Sequence, residues 1–322
     1  MQHQSKLDIS VIVPAYNEAE SLPELVSWIE RVADTEGLSR EIIIVDDGSD
    51  DATWETVLNL ARNNSSVHGI RMRRNYGKSA ALYLGFERAC GEVVFTMDAD
   101  LQDSPDEIPA MYKMVREEGW DVVSGWKQHR QDNALTKNLP SKLYNATARM
   151  ITGIKLHDMN CGLKAYRSEV VKSIEVYGEM HRYIPYLAKN AGFTRITEMP
   201  VHHQKRKYGK SKFGAERFIN GFLDLLSLWF LSTFGKKPMH FFGYSGIFMF
   251  LVGFIMTIWI IAAKLIRQGN GTPFRAVTDQ PLFYLALMAV ILGVILFLAG
   301  FIGEMISRSG PDRNRYNISD EL

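Results

Sequence analysis

Two cysteines in 322 residues, Cys90 and Cys161, are too few for a disulfide scaffold or a cysteine-ligated zinc site. Charge of one sign is missing as well. The 37 Lys+Arg stand against 36 Asp+Glu, which excludes a dedicated nucleic-acid binder, because that needs a clear basic excess. No Gly-rich phosphate loop follows any apolar run, which argues against a dinucleotide or Walker-type site. Internal repeats and low-complexity segments are absent. Met1 to Asp8 is polar and so unlike a secretory signal; a reduced, cytosol-facing catalytic part is expected. What is there is an ordinary globular composition, 46% hydrophobic and 23% charged, long enough for about two folding units.

The apolar residues are unevenly distributed. Phe241 to Ala263 and Gln280 to Gly303 contain no Asp, Glu, Lys or Arg. A helix needs about 20 such residues to cross the hydrocarbon core, so two transmembrane helices are expected, at about 241–265 and 280–303. The short linker Lys264 to Asp279 makes them a hairpin with both ends on one side. Basic residues crowd the segment before the first span (Lys205, Arg206, Lys207, Lys210, Lys212, Arg217, Lys236 and Lys237), and the tail adds Arg308, Arg313 and Arg315. The linker has Lys264, Arg267 and Arg275. The positive-inside rule then places both termini in the cytosol, in a multi-pass inner-membrane protein. Before the first span, Phe218, Phe222, Leu225, Leu226, Trp229 and Phe230 recur at helical spacing. That helix either lies in the membrane interface or packs on the soluble part. The expected organisation is a catalytic domain over 1–214, an amphipathic juxtamembrane helix over 215–237, the hairpin over 238–308 and a cytosolic tail over 309–322.

The soluble part reads as alternating strand and helix. Apolar runs at Ile9 to Val13, Glu41 to Val45, Gly69 to Met72, Val93 to Met97 and Asp121 to Ser124 predict strands, the fourth central because it is uniformly apolar. Between them helices are predicted from Leu22, over Asp51 to Asn63, over Ser79 to Cys90 and from Pro105. Ser21 with Glu24, and Ser104 with Glu107, have capping-box spacing. Such alternation with short links implies an α/β fold, a mostly parallel sheet with flanking helices. Ligands bind beyond the carboxyl ends of such strands, so the polar clusters that follow the first, second and fourth strands should converge on one rim.

Asp98 and Asp100 are spaced i and i+2 beyond an apolar strand. In an extended segment they point the same way and can share a hard cation such as Mg²⁺ or Mn²⁺. A lone Asp-x-Asp matches often by accident; the combination is more specific. Pro14-Ala15-Tyr16-Asn17-Glu18, Asp46-Asp47-Gly48-Ser49, Arg74-Asn75-Tyr76-Gly77-Lys78 and Asp98-Ala99-Asp100-Leu101-Gln102-Asp103 occur in the order and spacing of family 2 glycosyltransferases with a GT-A fold. Within them the chain resembles the polyprenyl-phosphate glycosyltransferases, such as dolichyl-phosphate mannose synthases, bactoprenol glucosyltransferases and undecaprenyl-phosphate aminoarabinose transferases. The resemblance runs through Asp158 to Arg167, Arg206 to Lys212 and Ile302-Gly303-Glu304, about the whole chain.

What the resemblance implies is a set of roles. Pro14, Tyr16, Glu18, Asp46 and Asp47 look like the nucleotide pocket, with Asp98 and Ala99 beside them. Asp98, Asp100 and Gln102 resemble the metal site for Mg²⁺ or Mn²⁺. Lys78 is either a diphosphate contact or a solvated helix-start lysine. Lys127, Lys137 and Ser141 match the acceptor-phosphate position, while Arg206 and Lys212 either grip a phosphate or attract anionic lipid heads. Asp100 and Asp158 are the candidate catalytic residues. The implied partners are a nucleotide-sugar, polyprenyl phosphate (undecaprenyl phosphate in a bacterium), the lipid bilayer and a homo-oligomer, and the implied donor is UDP-glucose or a related hexose. Two rival readings are a hydroxyl-directed polysaccharide or glycolipid transferase of the same fold and a non-catalytic membrane scaffold or flippase subunit. The first would need more spans and a Gln-x-x-Arg-Trp motif, neither of which is present. Intact Asp98, Asp100 and Glu18 argue against the second. His202 and His203 have no third metal ligand spaced near them and read as strand or interface residues, and Cys161 as a buried thiol.

Overall fold

The computed structural model describes residues 7–128, 149–150, 152–178, 180–204, 207, 230, 238–270, 276–308 and 318–321. The chain divides into two compact units, Met1–Leu225 together with Arg313–Leu322, and Leu226–Asp312.

The first unit is an α/β sandwich. Its strands are β1 (Ile9–Ala15), β2 (Arg40–Asp46), β3 (Val67–Met72), β4 (Val93–Thr96), β5 (Val122–Trp126), β6 (Lys164–Arg167), β7 (Ile196–Pro200) and β8 (Ile318–Glu321). They form one eight-stranded sheet in the order β7-β5-β6-β4-β1-β2-β3-β8. The pairs β1–β2, β1–β4, β2–β3 and β5–β7 are parallel, so the sheet is mixed but mostly parallel, as expected. β4 lies in its interior. The helices are α1 (Leu22–Glu36), α2 (Thr53–Asn63), α3 (Lys78–Arg88), α4 (Ile108–Arg116), α5 (Ser168–Ser173) and α6 (Ile184–Asn190).

The alternation of side chains along each strand divides the core in two. Val11, Val13, Ile42 and Ile44 pack with residues of α1, α2 and α4. Ile12, Ile43 and Val45 pack with residues of α3, α5 and α6 on the other face. A strand covered on both faces must be apolar throughout, which is why β1 and β2 read as unbroken runs. Each fully buried aliphatic side chain contributes roughly 1.5–3 kcal/mol, enough for the paired faces to fix register. On α1 the residues Leu22, Leu25, Val26, Ile29, Val32 and Ala33 form the buried stripe, as 3.6-residue periodicity demands.

Two local expectations are corrected. Ser21 makes no side-chain cap to α1; its hydroxyl donates instead to Glu18 O and Glu18 Oε2, while Glu24 binds Lys207 Nζ at 2.7 Å. Ser104 does cap, accepting from Asp106 N at 3.3 Å, but it opens a short 3₁₀ turn, Pro105–Glu107, and Glu107 Oε1 accepts from His202 N rather than closing a box. In both cases the glutamate of the expected box is taken by a partner far along the chain.

The tail returns to this sheet. Ile318–Glu321 adds the edge strand β8 antiparallel to β3, and Arg88 Nε and Nη2 grip the Glu321 carboxylate at 2.5 and 3.1 Å.

The second unit is built from α7 (Pro238–Gly269) and α8 (Pro281–Arg308). Both are long and apolar enough to cross a membrane, with mean hydropathy reaching 2.4 in an 18-residue stretch of Met239–Gly269 and 2.9 in one of Pro281–Gly303. Their seam is made of small residues. A Cβ on Gly246 would lie 2.6 Å from Gly293 O, and one on Gly253 would lie 2.6 Å from Ala286 O. Backbones therefore touch where glycine repeats every seven residues. Apart from Phe230, whose ring meets Phe241 at 5.6 Å, the expected juxtamembrane helix over 215–237 lies outside the described residues.

Candidate active site

β1, β2 and β4 are adjacent and parallel, so the three polar clusters that follow them meet at one rim, as the sequence leads one to expect. The loops are tied to each other by side chains. Ser49 Oγ accepts from Asn17 N at 2.9 Å, Thr53 Oγ1 from Glu18 N at 2.9 Å, and Asn17 Oδ1 from Asp50 N at 3.1 Å. Asn17 holds φ 58°, a left-handed value that asparagine tolerates better than most residues. Pro14, Tyr16 and Glu18 are half-buried on this rim.

The two aspartates at the end of β2 are committed to the frame. Asp46 is fully buried; its Oδ1 accepts from Ser49 N at 2.9 Å, and Arg71 Nε lies 3.7 Å from Oδ2. The Asp47 carboxylate accepts from Tyr76 N at 2.7 Å and from Gly77 N at 2.9 Å. Burial raises its pKa, outweighing those two donors. Asp47 thus fastens the loop before α3 to the β2 rim and so places Lys78, the first residue of α3. The Lys78 ammonium contacts Asp98 Oδ1, so it is not a freely solvated helix-start lysine.

Ala99 and Asp100 form a turn and Leu101 a bend, so the segment after Asp98 is not extended, which corrects the argument from strand alternation. Leu101 stands at φ 59° and is buried. Asp98 keeps about a third of its side chain exposed, 32%. Asp100 is buried, and its Oδ1 accepts from Gln102 N at 3.2 Å. Ala99 is buried between them. Gln102 O accepts from Gln204 N at 2.8 Å, which pins the turn to the segment after β7.

Of the acceptor-phosphate candidates, Lys137, Ser141, Arg206 and Lys212 lie outside the described residues. Lys127 leaves β5 at the same rim, and its Nζ lies 2.7 Å from Asp103 Oδ1. Burial would raise the Asp103 pKa, but His203 and Lys127 hold it down at about 2. Burial likewise opposes charge on Lys127, and the Asp103 carboxylate more than offsets it. His203 pairs with Asp103 through an isolated β-bridge, in keeping with its reading as a strand residue. Asp158 is buried and forms a local turn, its Oδ1 accepting from Asn160 N at 3.0 Å. Cys161 is buried too, and burial pushes its thiol up to about 12, an unreactive value.

Several residues at this rim were not anticipated. Lys164 is buried at the start of β6 and donates to Cys161 O; a lysine inside a strand bounded by apolar residues was the available signal. His181 N donates to Ser79 Oγ at 3.0 Å, with the ring Nδ1 also 3.0 Å from that hydroxyl. Burial, Lys78 and Arg182 push His181 well below the ordinary imidazole range. Trp126 stacks on His157 at 4.3 Å, and the Glu198 carboxylate accepts from His157 N at 2.7 Å.

The donor set suits a hard cation. Asp98, Asp100 and Gln102 offer only oxygen on their side chains' acceptor atoms, and the Asp98 carboxylate already faces a positive charge, that of Lys78. Among the described residues no three His, Cys, Asp or Glu side chains close on one point. That is compatible with Mg²⁺ or Mn²⁺, which commonly take one or two carboxylates and complete their shell with substrate phosphate and water.

The chain is similar to known proteins along its length. The model of the family described as glycosyl transferase family 2 matches residues 10–175. An undecaprenyl-phosphate 4-deoxy-4-formamido-L-arabinose transferase from Shewanella sediminis is 37% identical over 328 residues, covering 100% of this chain and 95% of the relative. A dodecaprenyl-phosphate galacturonate synthase from Rhizobium johnstonii is 33% identical over 305 residues, covering 94% and 88%. Among solved structures, glucosyl-3-phosphoglycerate synthase from Mycobacterium tuberculosis in complex with Mn²⁺, UDP-glucose and phosphoglyceric acid matches with TM-score 0.53 at 18% identity, over 70% of this chain and 79% of that one. At that identity the likeness shows the fold, a GT-A-like sheet with flanking helices.

Proposed function

The chain belongs to glycosyl transferase family 2, and on that premise we propose that it is a membrane-bound inverting transferase that moves a sugar from a nucleotide-sugar to polyprenyl phosphate. One observation carries this reading: the similarity to transferases named for polyprenyl-phosphate products covers 94–100% of the chain, spans included, and is not confined to the sugar-transfer domain. Both named relatives handle sugars other than glucose, a galacturonate and a 4-deoxy-4-formamido-arabinose. UDP-uronates and 4-modified pentoses therefore join UDP-glucose as donors to test.

The chemistry follows from the acceptor. A sugar hydroxyl needs a general base, whereas a phosphate monoester, with a second pKa of about 6, is largely a dianion at pH 7. The lipid phosphate attacks the anomeric carbon directly, one oxygen forming the new bond as the bond to the nucleoside diphosphate breaks, so that the configuration inverts. The protein's contribution is then positioning and charge compensation. Pro14, Tyr16, Glu18, Asp46, Asp47 and Ala99 frame the nucleotide end; Asp46 and Asp47 act by holding the loops. Lys78 faces the diphosphate. Mg²⁺ or Mn²⁺ held by Asp98, Asp100 and Gln102 would neutralise the charge of the leaving diphosphate. Asp158 shapes the loop beside the sugar. Lys127, Lys137, Ser141, Arg206 and Lys212 make up the acceptor side.

The chain leaves the first unit, passes through the apolar hairpin and returns to the first unit as β8. That connectivity supports a hairpin whose two outer ends share one face of the membrane, and the basic flanks support the cytosolic face.

The test is transfer of radiolabelled sugar from a panel of UDP- and GDP-sugars to polyprenyl phosphate in detergent, with Mn²⁺ and with EDTA. A metal-dependent, organic-extractable product is the expected result. Product only on a glycan hydroxyl, or nucleotide release without lipid product, would overturn the reading.

A further inference from the structure

The loop that carries Asp158 comes back to the rim at Gly162, just before β6. Gly162 is buried, and its carbonyl accepts from Thr96 Oγ1 at 2.9 Å, on the strand that leads into Asp98. Its backbone is not among the positive-φ glycines, so conformational freedom does not account for it; space does. A Cβ at this position would lie 2.4 Å from Asp98 Oδ2, 2.6 Å from Asp98 Cγ and 2.9 Å from Asp98 Oδ1. All three atoms belong to one carboxylate, whose Oδ1 also meets the Lys78 ammonium. Asp98 thus packs against a bare Cα and meets a fixed cation.

We propose that Gly162 is a positioning residue for Asp98: the missing side chain at 162 sets where that carboxylate stands, and so sets the divalent-cation affinity of the site. This rests on the reading of Asp98 as a cation ligand. It also bears on mechanism, because a side chain at 162, a general base included, cannot coexist with Asp98 in its present place. The atoms that must yield end a short side chain and are not backbone, so Gly162→Ala keeps the fold and moves the carboxylate.

The experiment measures Mn²⁺ binding to the full chain in detergent with UDP present, by calorimetry or electron paramagnetic resonance, for wild type, Gly162→Ala, Thr96→Val and Asp98→Asn. Gly162→Ala is expected to raise the Mn²⁺ dissociation constant about tenfold or more, with an unchanged thermal midpoint and unchanged UDP binding in EDTA, which a merely structural defect would not spare. Thr96→Val releases the Gly162 carbonyl without adding an atom at 162 and is expected to weaken Mn²⁺ by a smaller factor; it carries the test should Gly162→Ala fail to fold. Wild-type Mn²⁺ affinity in both variants, with affinity lost in Asp98→Asn, overturns the role of Gly162 and leaves Asp98 as a ligand. Wild-type affinity in Asp98→Asn overturns both.

Discussion

The two units of this chain place their apolar side chains in opposite directions. In the first, Ile, Val, Leu and Phe are inside: Ile12, Ile43 and Phe95 are all at most 1% exposed. In the hairpin the inside positions belong mostly to small residues such as Gly246, Gly253, Ala286 and Gly293, with Ile260 a large exception, while Phe248, Ile255 and Trp259 point outward with 66%, 63% and 63% of their surface exposed. Water drives large apolar groups together in the first unit. Lipid gives no such reward, since its tails are as apolar as leucine, and close backbone packing holds the helices instead. Exposed apolar surface on this scale marks an interaction surface, and on the proposed function its occupant is the bilayer.

The comparison can be broken at graded points. The largest effect is expected for Phe95→Ala, which empties the sheet's centre and should cost about 3–5 kcal/mol in denaturant unfolding of the first unit. Gly293→Leu should cost about 1–3 kcal/mol by overpacking, because its new Cβ would lie 2.6 Å from Phe250 N; cysteine cross-linking between α7 and α8 reads the separation. A pH effect of similar scale is expected from His181. Its folded pKa is depressed below 6.5, so the unfolded chain binds a proton that the folded chain refuses. The stability it contributes is complete above about pH 6.5 and falls as the pH drops, by about 1.4 kcal/mol per unit at most. His181→Gln should flatten that limb of the thermal-midpoint profile relative to wild type. The smallest effect is expected for Trp259→Leu, within about 0.5 kcal/mol. A loss from Trp259→Leu comparable to that from Phe95→Ala would mean that protein, not lipid, covers this face.

Much of the first unit was legible because its strands are buried on both faces and announce themselves as apolar runs. The convergence of the rim clusters was legible for the same reason, since parallel neighbours put their carboxyl ends together. β6 was not foreseen: Lys164–Arg167 has a cation at each end and only Ala165 and Tyr166 between them, and its antiparallel place beside β4 depends on residues far along the chain. β8, with the sequence ISDE, is too polar to read as a strand and exists through pairing with β3. At the candidate site, the sequence put Asp98 and Asp100 forward as candidates but did not show their geometry, because a left-handed Leu101 turns the segment. Nor does a sequence reveal that Asp47 spends both oxygens on the Tyr76 and Gly77 amides, or that Lys127 meets a buried Asp103. Those outcomes are set by which loops meet, a long-range property.

β8 also bears on how the molecule is made. It follows α7 and α8 in the chain, whereas the strand it covers, β3, precedes them. The edge of β3 therefore has no β8 to cover it until both long helices have been made. A chain in which β8 failed to dock would keep an uncovered strand edge of the kind that invites aggregation. Four residues, three of them polar, thus shield a strand edge laid down well before them.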